Sequence, residues 1–126
     1  MEWLDQWNRA LDLLEEHLDQ KPDLEAAARA AGCSSYHFQR MFSYLAGIPL
    51  SEYLRRRRMT LAAADLLAGA SVMDTALRYG YESPTAFNRA FQSVHGVSPS
   101  AAGHGDAALP ELMLNALSSY GLSTLD

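Results

Sequence analysis

The sequence predicts an all-α fold, two helix-turn-helix subdomains bridged by a long central helix, and three observations carry that prediction. The stretch from Leu50 to Ala68 is rich in Leu, Ala, Arg and Met, has no interior Gly or Pro, and closes at Gly69. That is the composition and the terminator of one continuous helix. The segments on either side of it repeat one another, and within each repeat the apolar residues recur at helical spacing.

The repeat fixes the domain organisation. Ala28-Arg-Ala-Ala-Gly32 lies over Ala76-Leu-Arg-Tyr-Gly80 at an offset of 48. Past the glycine the offset is 49: Phe38-Gln39-Arg40-Met41-Phe42 lies over Phe87-Asn88-Arg89-Ala90-Phe91, and Gly47-Ile48 over Gly96-Val97. The added residue falls in the second turn, between Gly80 and Phe87. The expected division is residues 1–49 for the first helix-turn-helix subdomain, 50–68 for the linker helix, 69–103 for the second subdomain, and 104–126 for a tail that is either a short helix or disordered. At about 1.5 Å per residue the linker helix spans roughly 27 Å.

Each element has a local reason. Residues 3–18 set Trp3, Leu4, Trp7, Ala10, Leu11, Leu14 and Leu18 at helical spacing among acids and amides, the pattern of an amphipathic packing helix. Lys21-Pro22-Asp23 breaks it, and Asp23 can cap a helix over 24–31. Gly32 ends that helix, because a sharp turn needs a left-handed residue. Ser34 caps a third helix running to about Leu45, with Phe38, Met41, Phe42 and Leu45 facing inward. In the linker helix Met59, Ala62, Ala63, Leu66 and Leu67 form the apolar stripe. Ser71, with Asp74 three residues on, caps a helix over 72–79. Ser83 caps the last helix, Pro84 takes its first position, and Phe87, Ala90, Phe91 and Val94 face inward.

Charge is distributed unevenly. Residues 1–28 carry eight acids against Arg9 and Lys21, a balance of −6; residues 29–102 carry eight arginines against four acids, a balance of +4; the last 24 residues add −3. The region containing both repeats is therefore basic inside a chain of net charge −5, and its positive charge is all arginine, the side chain suited to phosphate and base-edge contacts. Cys33 is the only cysteine and cannot form an internal disulfide. No run approaches 18 apolar residues, and MEWLDQWNR is acidic where a signal segment would be apolar, so neither a membrane partner nor export is expected and the cytoplasm is the default.

Two outward faces carry the chemistry. Tyr36, Gln39, Arg40 and Ser43 lie opposite the apolar face of the third helix, and Thr85, Asn88, Arg89 and Gln92 follow, each 49 residues after its counterpart. Each face pairs an arginine with an amide one position before it. Arg binds guanine O6 and N7 bidentately and Asn or Gln does the same for adenine, so these are side chains that read a major groove. The bland alternative is an ordinary polar helix surface. Arg55 to Arg58 are consecutive and fan around most of the linker helix, so not all four can reach phosphates.

These residues resemble the DNA-binding domain of the AraC/XylS transcription regulators over about residues 8–102. Three segments carry the likeness: Ser34 to Phe42 (SSYHFQRMF), the linker pattern of Tyr53, Arg58-Met59, Ala62 and Leu66-Leu67, and Ala76 to Ser100 (ALRYGYESPTAFNRAFQSVHGVSPS). The resemblance implies a tandem homeodomain-like fold with both recognition helices in successive major grooves of double-stranded DNA. One turn of DNA is about 34 Å, which a rod of roughly 27 Å and its flanking turns can match. It implies Tyr36, Gln39, Arg40, Thr85, Asn88 and Arg89 as base contacts, and Ser34, Ser35, His37, Ser43, Arg55, Arg56, Ser83 and Gln92 as phosphate contacts. Pro84 stands where some relatives have a polar contact residue, which implies poorer readout by the second helix. RNA polymerase as a partner, binding as a monomer, and a place at the bacterial nucleoid follow from the same resemblance. Because the likeness begins near Met1, no sugar-binding domain is expected ahead of it, and the family's usual arginine after Ser98-Pro99-Ser100 is missing.

An enzyme needs a positioned constellation, and His17, His37, His95 and His104 lack a consistent spacing to an acid or nucleophile. Cys33 and His37 are too few ligands for a structural zinc, so a buried cysteine and a solvated or groove-facing histidine are expected instead. No Walker or dinucleotide glycine pattern is present, so no catalysis, cofactor or metal is expected. The alternative is a truncated regulator remnant acting mainly as a protein-interaction module with weak DNA binding. Its tail would be amphipathic through Leu109, Leu112, Met113, Ala116, Leu117 and Tyr120.

Overall fold

The computed structural model describes residues 2–103, which form helices joined by short turns. In order they are α1 (Glu2–Glu15), α2 (Leu24–Ala30), α3 (Ser35–Ala46), α4 (Leu50–Leu67), α5 (Val72–Arg78), α6 (Pro84–His95) and α7 (Pro99–Gly103). Among the described residues there are no strands, and no helix is long and apolar enough to cross a membrane. Two compact units part between Leu54 and Arg55, inside α4.

In the first unit α2 packs on both α1 and α3. Its core is Trp7, Ala10, Leu11, Leu14 and Leu18, closed by Ala27, Ala28, Phe38 and Phe42 and by Leu50, Tyr53 and Leu54 from the start of α4. The aromatic rings link in series: Trp7 lies 5.0 Å from Phe38 and 6.3 Å from Phe42, and Phe42 lies 5.0 Å from Tyr53. Tyr53 turns its hydroxyl outward to donate to Glu15 Oε1 at 2.5 Å, so the ring is buried without orphaning its polar end. Fully buried alanines at 27 and 28 allow α2 its close approach.

The second unit is built on the same plan. Met59, Ala62, Ala63 and Leu66 of α4 pack with Ala76, Tyr79, Phe87, Phe91 and Ala102, and burying each large side chain of this set contributes about 1.5 to 3 kcal/mol. Tyr79 donates to Asp65 Oδ2 at 2.8 Å and Arg78 pairs with the same oxygen at 2.9 Å, which fixes the end of α5 against α4.

Both turns close in one way. Gly32 N–H donates to Arg29 O and Cys33 N–H to Ala28 O, each at 3.0 Å; Gly80 N–H donates to Leu77 O at 3.1 Å and Tyr81 N–H to Ala76 O at 2.9 Å. This nested pair satisfies the last helical carbonyls only if the first residue past the cap is left-handed, and Gly32 and Gly80 have φ of +77° and +85°. The extra residue of the second copy lies past the glycine: α3 begins three residues after Gly32, α6 four after Gly80.

The structure corrects several expectations. Trp3 stacks on Trp7 at 5.8 Å but is 48% exposed, and Leu4, Leu45 and Leu67 are exposed as well. Each lies in the first or last turn of its helix, where little of the neighbouring element remains to cover it. Cys33 is half-buried rather than buried, because it sits in the turn itself. α1 ends at Glu15, though Leu18 beyond it is still core. The stripe from Leu109 to Tyr120 lies outside the described residues.

Candidate nucleic-acid interface

The sequence dictates how α3 and α6 present their faces. Ser34 Oγ accepts from His37 N–H at 3.1 Å and Ser83 Oγ from Ala86 N–H at 3.2 Å, so each helix starts at a fixed serine. Phe38 and Phe42 in one, Phe87 and Phe91 in the other, are buried, and this anchors the rotation of each helix about its axis. Residues opposite those rings must then point out.

On α3, Tyr36 is 68% exposed and Arg40 is exposed beside it, with Gln39 and Ser43 half-buried. Arg40 Nη1 donates to the Tyr36 hydroxyl at 3.2 Å, and its guanidinium carbon lies 5.8 Å from the centre of the tyrosine ring. The pair holds Arg40 against the helix while leaving donors free, which lowers the entropy lost when the fork engages an acceptor. Tyr36, Gln39, Arg40 and Ser43 line a shallow groove of about 270 Å³ with Pro49, Leu50 and Ser51. Ser35 is half-buried and His37 exposed in the first turn.

On α6, Pro84, Thr85, Arg89 and Gln92 are exposed and Asn88 is half-buried. Gln92 Nε2 donates to Asn88 Oδ1 at 2.7 Å, so the Asn88 amide oxygen is engaged within the helix. Arg55 reaches the same helix: its Nη1 donates to Ser93 Oγ at 2.9 Å, and that hydroxyl donates to Ala90 O. Arg56 is half-buried, as are Arg57 and Arg58, and each has an interaction partner.

Sequence reasoning missed Ser51, Ser93 and His95. Ser51 joins the α3 face from α4, and Ser93, on α6 four residues after Arg89, is tied to Arg55 of α4; neither link shows in the pattern of a single helix. His95 is buried at the end of α6, its Nε2–H donating to Met59 O at 2.8 Å and its ring 4.5 Å from Phe91. A signal existed: 87, 91 and 95 fall four apart on one stripe.

Fold and faces together define a tandem helix-turn-helix protein. A family model described as a helix-turn-helix domain matches residues 27–103. The HTH-type transcriptional activator AarP of Providencia stuartii is 35% identical over 102 residues, 80% of this chain and 76% of AarP. A solved AraC-type DNA-binding regulator from Chromobacterium violaceum shares the fold, with TM-score 0.71 at 20% identity over 80% of this chain and 91% of that one. The DNA-binding domain of AdpA, solved in complex with a target DNA, aligns with TM-score 0.64 and 31% identity over 83% of this chain and 96% of that one. The chain belongs to the AraC-type helix-turn-helix family of DNA-binding transcription regulators.

Proposed function

We propose that the chain binds double-stranded DNA sequence-specifically by placing α3 and α6 in successive major grooves. Tyr36, Gln39 and Arg40 then read base edges in one groove, and Thr85, Asn88 and Arg89 in the next. Ser34, Ser35, His37, Ser43, Arg55, Arg56, Ser83 and Gln92 contact phosphates. The subdomains of this reading are residues 1–49 and 69–103, with 50–68 as the linker. The chain acts as a monomer in the cytoplasm, at the nucleoid, and recruits RNA polymerase to promoters.

The observation that carries the reading is the duplicated outward face, an exposed arginine preceded by an amide on the side of each helix opposite a pair of buried phenylalanines. A solvated surface needs no such duplication, while two groove-reading helices do. Selecting sites from a random duplex pool with the purified chain, then titrating salt on the selected duplex, tests it. The expected result is a defined site whose affinity falls steeply with salt, since each phosphate neutralised adds about −0.9 to the slope of log K against log salt. A flat salt dependence, or a pool without enrichment, would contradict it.

A further inference from the structure

α5 exposes two large apolar side chains, Met73 and Leu77, beside the charged Asp74 and Arg78. Met73 is 51% exposed and Leu77 58%, and they lie four apart on one side of a short helix. The duplication supplies an internal control: at the offset of 48 their counterparts on α2 are Glu25 and Arg29, also exposed. At the two matching outer positions the same helix therefore carries a charged pair in one copy and an apolar pair in the other.

The two copies differ in a second respect, which is that the chain continues past the second. α7 packs against α5 and closes at Gly103. Residues 104–108 reach at most about 17 Å when extended, so the segment after them starts within reach of α5. That segment is apolar at Leu109, Leu112, Met113, Ala116, Leu117 and Tyr120, the spacing of one helical stripe, and from Gly103 to the end the chain carries Asp106, Glu111 and Asp126 and no Lys or Arg.

We infer that the Met73–Leu77 face of α5 is the docking surface for the chain's own segment 109–120. Magnitude selects this occupant over a separate partner. Two side chains make a patch far smaller than the roughly 800 Å² per side of a stable complex, whereas a short tether holds the segment at an effective concentration on the order of millimolar. So small a face is insufficient for a separate partner or a dimer, yet sufficient for a tethered segment. The inference stands apart from base reading by α6.

Methionine-methyl NMR on the full chain tests it, because Met73 and Met113 carry probes on the two proposed surfaces. The Met73 methyl resonance shifts when the segment is altered by Leu112→Asp with Leu117→Asp. Met113 moves to its random-coil position when Met73→Glu with Leu77→Arg transplants the charged pair of α2. Both shifts are unchanged on dilution. The inference is overturned if Met73 ignores the altered segment, if Met113 is already at its random-coil position in the unaltered chain, or if the shifts vary with protein concentration, which would make the occupant a second copy. Met59, buried in the second unit, reports whether either variant has unfolded it; a fold-preserving single change, Leu112→Asn, then carries the test.

Discussion

His95 shows how one residue couples burial to pH. Its Nε2–H is satisfied by Met59 O, while Nδ1 is buried with no partner among the described residues. An imidazolium there would hold a second N–H with nothing to accept it. Desolvation by burial, opposed by the bond to Met59, keeps the group below its ordinary value of 6.5. As pH falls through 6.5 the unfolded chain takes up a proton that the folded one resists, so the stability from a neutral His95 is complete above that pH and is lost below it. Thermal melts on either side of 6.5 are expected to show the second unit weakening on the acid side. His95→Gln, which retains a donor for Met59 O, should flatten that dependence; an unflattened curve would assign it elsewhere.

Among the elements, the turn after α5 makes a sharper test than the helices do. An added Cβ at Gly80 meets nothing within 4 Å, so a side chain costs only backbone strain at φ +85°. That strain is about 1 to 3 kcal/mol for a β-branched residue, and less for asparagine, which tolerates the left-handed region. Gly80→Val is expected to lower the melting temperature clearly and Gly80→Asn to lower it less; equal melting of all three chains would contradict the turn. Losing one N-cap, by Ser83→Ala, should cost about 1 kcal/mol, read as a shift in the denaturant midpoint.

These elements were the legible part of the sequence. Ser34, Ser71 and Ser83 mark helix starts because a serine hydroxyl can accept from the third residue on, and all three do so. Phe38, Phe42, Phe87 and Phe91 mark the inner faces because large rings at helical spacing have nowhere else to go. Helix-end residues were not legible: Trp3, Leu45 and Leu67 fit the apolar period, but coverage depends on where the neighbour stops. α7 was not legible either, since five residues carry no period, although Ser98 followed by Pro99 is a start signal and Ser98 Oγ accepts from Ala101 N–H.

Across the full chain, a protein of net charge −5 is assigned to a polyanion because its acids and arginines are segregated along the sequence. Of the proposed reading site, the outward faces were visible in sequence because periodicity alone separates them from the phenylalanines. The partners that hold those side chains, Tyr36 on Arg40, Asn88 on Gln92 and Ser93 on Arg55, could not be read that way, because they depend on rotamers and on residues 38 positions apart. The decisive experiment measures Arg40→Ala and Arg89→Ala against the selected duplex and against random duplex at one salt concentration. Each variant is predicted to lose about 1 to 3 kcal/mol on the selected site, with preference relaxed at one base pair, and to lose much less on random DNA. Equal losses on both duplexes would make the two arginines phosphate contacts and contradict the reading of sequence by paired helices.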